Sequence, residues 1–396
     1  MRIAILHNHP IHYKHLLFTA LVGLGAEVDV IFAARSSDMR TPAMQPVGKI
    51  YRSHFLSEGS IETLPHLSTA FRAVQVASQC RPDVVIISGY NYLATWSMLA
   101  WAKASGKPVA LWFESNAFDR RRYVVKEYVK RVFLRGCDVA HVYGKSNRDY
   151  LESMGMKSSS ILEKRATVDW EIFSKRRAGF HSDFRRFAYV GRFSPEKNLP
   201  RLLEAFRIVR DKTPAELVLV GYGPDEPQLK QRTLDLDLEE SVVFAGPKTQ
   251  DEVSMTMAEC DCLVLPSLSE PWGLVANEAL CAGLPIILSN RCGCALDLVS
   301  AATGWIVRAE DTDGLAEAML RVCRLSRESL QSMGQAAVSI AGEYAPEKCA
   351  SRILANLEEL LASRRTSRRL LPGHARFECD SLRVVPPDDY DRSPYQ

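Results

Sequence analysis

Two consecutive segments, Cys262-Leu-Val-Leu-Pro-Ser267 and Glu270-Pro-Trp-Gly-Leu-Val-Ala-Asn-Glu278, decide how the second half of this chain folds. The first is an apolar run of strand length. The second places two carboxylates eight positions apart across a loop-to-helix junction. Ala279-Leu-Cys-Ala-Gly-Leu-Pro285 then supplies the Gly and Pro that commonly end a helix. The pattern predicts a strand, a loop that carries Glu270 and a helix that carries Glu278.

The start of that helix is suited to an anion. Backbone N–H groups near Gly273 and Leu274 lack partners within a helix, and the helix dipole favours negative charge there. Glu270 and Glu278 lie on either side and can accept hydrogen bonds from hydroxyl groups. A phosphate flanked by two polyols is a sugar nucleotide, so the segment predicts such a ligand.

The segment resembles the Glu-x7-Glu motif of retaining glycosyltransferases with the GT-B fold, in particular glycosyltransferase family 4. Tyr189-Val-Gly-Arg-Phe-Ser-Pro-Glu-Lys-Asn-Leu199 is similar to the family's Gly-Arg...Glu-Lys block. Leu217-Val-Leu-Val-Gly-Tyr-Gly-Pro224 resembles its second strand with a Gly-x-Gly turn, and Val242-Val-Phe-Ala-Gly-Pro247 its third strand. The specific motifs cover residues 180–345, and residues 1–180 match only in general pattern.

The resemblance assigns roles to the motif residues around the helix start. Glu270 would hold the ring hydroxyls of the donor sugar and Glu278 the ribose hydroxyls. Gly273 and Leu274 would supply backbone N–H groups to phosphate and sugar.

Fixed cations are expected to neutralise the departing diphosphate. Arg192 and Lys197 follow Gly191, on the loop and helix start after a predicted strand, and both are expected to face the cleft. Glu270, Arg192 and Lys197 are therefore the predicted catalytic residues, and no metal or other cofactor is expected. By resemblance, the nucleotide base would lie near Pro247 and Lys248.

The resemblance implies retention of configuration. No residue in the sequence is an obvious covalent nucleophile, so a phosphate oxygen of the donor is the expected base for the acceptor proton. The expected partners are a UDP- or GDP-sugar donor and a carbohydrate or lipid-linked acceptor, and no nucleic acid. Two alternatives stay open: a sugar-nucleotide 2-epimerase and a non-catalytic sugar-nucleotide-binding scaffold of the same fold.

Strand-length apolar runs alternate with helix-length segments along the chain, which predicts parallel sheets covered by helices on both faces. The predicted fold class is α/β, as in GT-B: two doubly wound Rossmann-like domains facing a central cleft. The predicted strands are 3–6, 28–32, 84–87, 109–113, 139–142, 187–190, 217–220, 242–244, 263–265, 286–288 and 305–307.

The expected domains are an acceptor-binding domain over residues 1–175 and a nucleotide-sugar-binding domain over residues 180–342. The linker is placed within residues 168–179, where strand periodicity ends and charge accumulates. Residues 343–365 are predicted to form a helix that crosses back to the first domain. A disordered tail is predicted for residues 366–396.

The first domain departs from the family pattern. Its first loop reads His7-Asn-His-Pro-Ile-His-Tyr-Lys-His15 in place of glycines, and Glu114 stands where the family often has a His. His9, His12 and Glu114 are the candidate acceptor-side residues. A metal bound by the histidines is a weaker alternative, because no carboxylate lies nearby in the sequence. Plain structural roles are a third possibility.

Charge is divided unevenly along the chain. Residues 1–180 hold 25 Lys and Arg against 15 Asp and Glu, which favours an anionic acceptor or an acidic membrane surface. Residues 120–135 are predicted to form a basic amphipathic helix that either lies on acidic lipid or presents a solvated face. No signal peptide or spanning segment is seen, so we expect a cytoplasmic protein, with peripheral attachment to the inner face of the membrane as the lipid alternative.

Two other patterns suggest metal sites, and both are interpreted as structural. Asp235-Leu-Asp237 matches an Asp-x-Asp metal signature, but it lies at the end of its predicted strand that points away from the cleft. The pairs Cys260/Cys262 and Cys292/Cys294 lack zinc spacing, so buried reduced thiols are expected instead.

Overall fold

The alternating strands and helices build two parallel sheets, described here from a computed structural model that covers residues 1–38, 50–117, 123–174 and 184–370. The side chains of 367–370 are not described. The first sheet has the strand order β3-β2-β1-β4-β5-β6-β7. Its strands are β1 (Arg2–His7), β2 (Glu27–Phe32), β3 (Arg52–Phe55), β4 (Val84–Ser88), β5 (Val109–Phe113), β6 (Val139–Val142) and β7 (Ile161–Glu163).

The second sheet has the order β10-β9-β8-β11-β12-β13. Its strands are β8 (Arg185–Val190), β9 (Ala215–Val220), β10 (Val242–Gly246), β11 (Cys262–Leu265), β12 (Ile286–Ser289) and β13 (Gly304–Val307). In each sheet the first strand of the unit, β1 or β8, pairs with neighbours on both sides. This reversal of strand order creates a crevice at the carboxyl ends of the strands, where such sheets bind ligands.

The helices cover both faces of the two sheets. They are α1 (His12–Gly23), α2 (His66–Cys80), α3 (Leu93–Ala104), α4 (Val124–Gly136), α5 (Lys145–Ser153), α6 (Trp170–Ser174), α7 (Leu199–Arg210), α8 (Glu226–Asp235), α9 (Gln250–Ala258), α10 (Leu274–Cys281), α11 (Ala295–Leu298), α12 (Thr312–Arg324), α13 (Arg327–Ala341) and α14 (Pro346–Leu370).

The predicted α/β class with two doubly wound sheets is confirmed. All eleven predicted strands are present, and the two strands that were not predicted, β3 and β7, lie at the edges of the first sheet. Both are short. Arg52-Ser-His-Phe55 and Ile161-Leu-Glu163 lack the apolar run that marks a strand buried on both faces.

Each unit packs against a segment of the chain that lies next to the other unit in the sequence. Helix α14 returns to the first sheet, where Ile353 and Leu357 are buried in one cluster with Leu17 and Leu21 of α1. In the other direction, Phe173 of α6 is buried in the core of the second sheet. Each core therefore contains a segment from the far side of the junction.

The two crossings lie side by side. The backbone N–H of Val168 donates to the carbonyl oxygen of Tyr344 over 3.2 Å. Arg165 pairs with Glu343 at 3.6 Å, and its guanidinium lies 5.2 Å from the ring centre of Tyr344. The units are thus joined by a pair of adjacent, mutually bonded segments.

Several predicted boundaries lie next to or within residues outside the described ranges. In the predicted basic helix, residues 120–122 are not described, and α4 begins at Val124. The linker prediction includes α6, while residues 175–183 are not described. Helix α14 continues to Leu370, past the predicted start of the tail at 366, and residues 371–396 are not described.

The returning helix should contribute measurably to the stability of the first unit. We expect Leu357→Ala to lower the free energy of unfolding by about 2–5 kcal/mol, because the fully buried side chain would leave a cavity. Urea denaturation measures the effect. Glu358→Ala, at an exposed position one residue along the helix, is the control. Equal stabilities for the two variants would contradict the packing of α14.

Candidate active site

The loop between β11 and α10 is fixed by its own side chains. Gly273 caps α10 in a left-handed conformation, with φ of 95°. A Cβ there would lie 3.0 Å from Leu265 Cδ2, so both conformation and space favour glycine. The buried Trp272 donates from Nε1 to Asn277 Oδ1 over 2.8 Å. The start of α10, predicted as the phosphate site, is therefore held in one position.

Glu270 is held through its backbone. Its N–H donates to the carbonyl oxygen of Arg291 over 3.2 Å, and its own carbonyl accepts from the N–H of Gly293 over 2.9 Å. Asn116, from the first unit, donates its side-chain N–H to the same carbonyl over 3.0 Å. The carboxylate is left to face the cleft, where it forms an ion pair with Lys197.

Of the two predicted cations, Lys197 reaches the glutamate. Lys197 is the last residue of a short 3-10 helix, Pro195–Lys197, that follows β8, and its side chain is largely buried. Arg192 is more exposed and pairs with Glu196 at 3.3 Å. Glu196 lines the cleft beside Lys197, whereas Arg192 is not one of the lining residues. The structure thus brings Lys197 and Glu270 together and places Arg192 one contact away.

The glycines of the sequence blocks allow two loops to touch. A Cβ on Gly221 would lie 1.9 Å from the carbonyl oxygen of Gly191, and one on Gly223 would lie 2.1 Å from that of Phe193. No side chain fits at either position. The Gly-x-Gly turn after β9 therefore packs directly against the loop that carries Arg192 and Lys197.

A cleft of about 1180 Å³ separates the two units. Its second-unit wall is made of Glu196, Lys197 and the loop 269–274, which includes Glu270, Gly273 and Leu274. The first unit contributes the following residues: Tyr13, Tyr90, Asn91, Trp96, Glu114, Ser115, Asn116, Tyr123, Val125, Lys126, Glu127, Val129, Lys130, Tyr143 and Tyr150. Five sequence-predicted site residues, Glu114 among them, share this cavity.

Glu114 stands on a buried charged cluster. Its Oε1 accepts from Lys14 over 2.5 Å, from the Tyr143 hydroxyl over 2.7 Å and from Lys164 over 3.1 Å. Both lysine side chains are almost completely buried, and each ammonium lies 4.8 Å from the ring centre of Trp112. Three donors on one oxygen orient the carboxyl group firmly.

The lysines decide the charge of Glu114. Burial alone would raise its pKa, but the ammoniums of Lys14 and Lys164 hold it well below its usual range. Burial and the neighbouring Lys14 lower the pKa of Lys164. Glu114 is therefore a fixed carboxylate at the cleft wall, suited to accepting hydrogen bonds rather than protons.

Sequence reasoning missed the two lysines. Lys14 lies at helical spacing from Phe18 and Leu21 on the buried stripe of α1, a pattern that was available in the sequence. Lys164 lies in Glu163-Lys-Arg165, which looks like a solvated charge run and carries no such signal.

Glu278 and His12 lie close enough to influence each other electrostatically, and neither belongs to the cleft lining. His12 Nε2 lies 2.8 Å from Asp169 Oδ2, so the expectation that no carboxylate is near the histidines was wrong. Asp169 is distant in sequence and reaches His12 through the junction. Burial, with a smaller contribution from Asp169, raises the pKa of Glu278 to about 7. Glu278, His12 and Asp169 together form a group of ionisable side chains between the units, which we call the Glu278 cluster.

The remaining predicted residues lie around this site. His9 is buried, and its Nδ1 lies 3.1 Å from the carbonyl oxygen of Pro10, a local contact within the turn. Pro247 is exposed and Lys248 is half-buried, immediately after β10. Asp237 lies in a turn with φ of 52° and an exposed side chain.

In the described ranges, one group of side chains has the proximity of a metal site: Asp29, His54 and Cys80. The guanidinium of Arg52 donates two hydrogen bonds, of 2.7 Å each, to the Asp29 carboxylate. A guanidinium bound to the carboxylate disfavours a cation at the same place.

Comparisons with known proteins agree with this architecture. The family model described as "Glycosyltransferase Family 4" matches residues 13–162, and that described as "Glycosyl transferases group 1" matches residues 171–339. The chain belongs to glycosyltransferase family 4. The two models divide the chain where the structure passes from the first sheet to the second.

Individual relatives of this family 4 chain are distant. It is 28% identical over 253 residues to the amylovoran biosynthesis glycosyltransferase AmsK of Erwinia amylovora, covering 61% of each chain. It is 27% identical over 215 residues to the D-inositol 3-phosphate glycosyltransferase of Mycobacteroides abscessus, covering 51% of this chain and 47% of the relative. The matched segments span about half the length of the curated relatives.

Solved structures confirm the GT-B fold. Sucrose-phosphate synthase from Thermosynechococcus elongatus superposes with a TM-score of 0.72 at 19% identity, covering 92% of this chain and all of that one. HepE from Anabaena in complex with UDP superposes with a TM-score of 0.69 at 15% identity, covering 91% of this chain and all of that one. Among the described helices of the family 4 chain, none has the length and apolar content required to span a bilayer.

The Glu278 cluster makes stability depend on pH. The raised pKa means that the folded state binds this proton more tightly than the unfolded state, whose value is 4.5. The stabilisation from protonated Glu278 is complete below pH of about 4.5 and is lost as the pH rises through about 7. Glu278→Gln should therefore have nearly the same free energy of unfolding as the unmodified protein at pH of about 4.5. Near pH 8 its free energy of unfolding should be higher by about 1–3 kcal/mol.

Chemical denaturation at several pH values measures this difference. Glu239→Gln, at an exposed position, is the control and should show no such divergence. Parallel pH curves for Glu278→Gln and the unmodified protein would show that Glu278 is ionised freely in the folded state.

Proposed function

We propose that the protein is a retaining, metal-independent glycosyltransferase that moves a sugar from a UDP- or GDP-sugar to a hydroxyl of a carbohydrate or lipid-linked acceptor. The observation that carries the proposal is the Lys197–Glu270 ion pair beside the start of α10, on the wall of a cleft between two doubly wound units. A cation, a hydrogen-bond acceptor for hydroxyls and free helix N–H groups lie together there.

The donor is assigned to the second unit. The helix start at Gly273 and Leu274 and the ammonium of Lys197 would bind the diphosphate, with Arg192 in support. Glu270 would accept hydrogen bonds from the sugar hydroxyls and Glu278 from the ribose. The base would rest near Pro247 and Lys248. HepE has been solved in complex with UDP and with UDP-glucose, which supports a nucleotide-sugar donor for the same fold.

In the proposed reaction, the bond between the anomeric carbon and the diphosphate oxygen breaks, and the acceptor oxygen bonds to the same face of that carbon. The diphosphate leaves with the bonding electron pair. Lys197 and the N–H groups of α10 stabilise the growing negative charge, a role that a metal ion plays in other transferases. A phosphate oxygen of the departing group takes the acceptor proton, so no protein base is required.

The acceptor is assigned to the first unit. Glu114 presents a fixed carboxylate to the cleft, and the lysines that hold it ionised make it a permanent hydrogen-bond acceptor. We give His9 and His12 a smaller part in acceptor binding, because His9 bonds within its turn and His12 pairs with Asp169 across the junction. We place the acceptor hydroxyl groups against Glu114.

A cytoplasmic location is part of the proposal. The nine cysteines in the described residues are free thiols and most are buried. Burial raises the pKa of Cys281 and Cys292 to about 12, so they remain protonated and packed in the core. Free core thiols agree with a reducing compartment.

Nucleotide release from a panel of UDP- and GDP-sugars, with candidate acceptors, tests the activity. We expect turnover with one donor and equal rates in the presence and absence of EDTA, because protein groups supply the positive charge. A binding protein would saturate without turnover, and an epimerase would convert the donor without releasing nucleotide. Activity lost to EDTA and restored by Mg²⁺ or Mn²⁺ would refute the metal-independent account.

The two glutamates should affect turnover differently. Glu270→Gln should lower kcat and kcat/KM together, which corresponds to a loss of about 2–4 kcal/mol of transition-state stabilisation. The reason is that the contacts of Glu270 with the sugar strengthen as charge develops at the anomeric carbon. Glu278→Gln should mainly raise the donor KM, by an amount equivalent to about 1–3 kcal/mol of lost binding free energy, since the ribose does not react. Steady-state kinetics with varied donor separates the two effects. Native kcat in both variants, or slowed turnover only in Glu278→Gln, would rule out this assignment.

A further inference from the structure

Large apolar side chains are exposed where three helices of the first unit begin. Leu67 and Phe71 of α2 are 80% and 73% exposed, and Val124 and Val125 of α4 are 78% and 75% exposed. Leu93 of α3 and Tyr128 of α4 are also exposed. We call these six residues the apolar rim. Isolated exposed apolar residues are common on proteins, but a contiguous group marks an interaction surface.

The rim is one surface because the three helices are neighbours. All three cover the same face of the first sheet, where Ala73, Ala94 and Phe133 share a core cluster. Ser97 of α3 donates to the carbonyl oxygen of Ala70 in α2 over 3.0 Å. Trp96 of α3 packs edge-on against Phe133 of α4, with ring centres 4.9 Å apart.

The rim also adjoins the cleft. Each helix follows a strand of the parallel sheet, so the three helices begin at the strand carboxyl ends, where the cleft opens. Val125, Val129 and Lys126 of α4 line the cleft directly. Helix α4 buries only Phe133 and Leu134 among its described side chains, both near its end. The side chains of its first two turns are exposed or half-buried.

We propose that the apolar rim docks the protein on an anionic lipid bilayer, with the acceptor side of the cleft turned toward the lipid. Helix α4 supplies charge complementarity: Lys130 pairs with Glu127 over 2.6 Å, and Lys126, Arg131 and Arg135 give the helix a positive balance. Apolar side chains enter the interface while the cations bind the lipid headgroups. The orientation of the cleft rests on the proposed function and implies that the acceptor is lipid-linked. The docking itself does not rest on it.

A second copy of the chain fits this surface less well. A symmetric dimer would place the same patch against itself and would bring the excess positive charge of α4 close to that of the second copy. A bilayer with acidic headgroups places opposite charge there. It also leaves the neighbouring cleft accessible to an acceptor held in the same membrane.

Flotation of the full chain with lipid vesicles, in the absence of any donor, tests the docking. Binding to phosphatidylcholine vesicles that contain phosphatidylglycerol should exceed binding to phosphatidylcholine alone and should fall with added salt. The double variant Leu67→Ser/Phe71→Ser should bind at least about tenfold more weakly. Its control is Leu234→Ser/Val243→Ser, which removes two exposed apolar side chains from the second unit and should bind normally.

Fluorescence locates the contact. Phe71→Trp should be quenched by lipids with brominated acyl chains, and Leu234→Trp should gain no such quenching. Thermal melting of each variant confirms folding, which the exposure of both positions favours.

Three results would overturn the proposal: no binding to either vesicle, unchanged binding of Leu67→Ser/Phe71→Ser, or a dimer in solution that this variant abolishes. Because no donor is present, docking can succeed even if the donor panel shows no transfer. Conversely, transfer to a water-soluble acceptor without any vesicle binding would leave the proposed function intact and remove the docking.

Discussion

The hydrogen bonds that Asn116 donates to the carbonyl oxygens of Glu270 and Pro271 determine the geometry of the cleft. Asn116 follows β5 in the first unit and is buried, while its two acceptors belong to the second unit. Gly293 completes the contact, because a Cβ there would lie 2.0 Å from the Pro271 oxygen and 3.0 Å from the Asn116 amide nitrogen. The residue that carries the predicted catalytic carboxylate is therefore positioned from across the cleft.

Two further contacts support the same junction. Ser146 donates to the carbonyl oxygen of Gly293 over 2.7 Å, and the backbone N–H of Lys145 donates to the carboxylate of Asp297 over 3.1 Å. Asp297 thus caps helix α5 of the opposite unit, where a negative charge is favourable. Burial raises the pKa of Asp297 to about 6 even though that N–H favours its ionised form. Aromatic packing accompanies these polar contacts, because Tyr143 of the first unit lies against Trp272 of the second, with ring centres 5.4 Å apart.

The sequence predicted the second unit more completely than the first, for physical reasons. In the second unit, each motif is local: the glycines, Lys197 and the Glu270 loop are contained in short strand-to-helix connections whose positions follow from parallel topology. In the first unit, the buried cluster under Glu114 is assembled from Lys14, Tyr143 and Lys164, which are far apart in sequence. The Asp169–His12 contact and the Asn116 amide are equally non-local. Periodicity and spacing carry no information on such pairings.

The paired crossings between the units have a mechanical consequence. Because Val168 and Tyr344 are hydrogen-bonded where the chain passes out of the first unit and returns to it, the units share a narrow covalent joint on one side. Bending about this joint leaves both chain crossings intact, whereas sliding one unit along the other would stretch them in opposite directions. A joint of this kind restricts sliding of one unit along the other more than rotation about the crossing, so it constrains the register of the two cleft walls more than the distance between them.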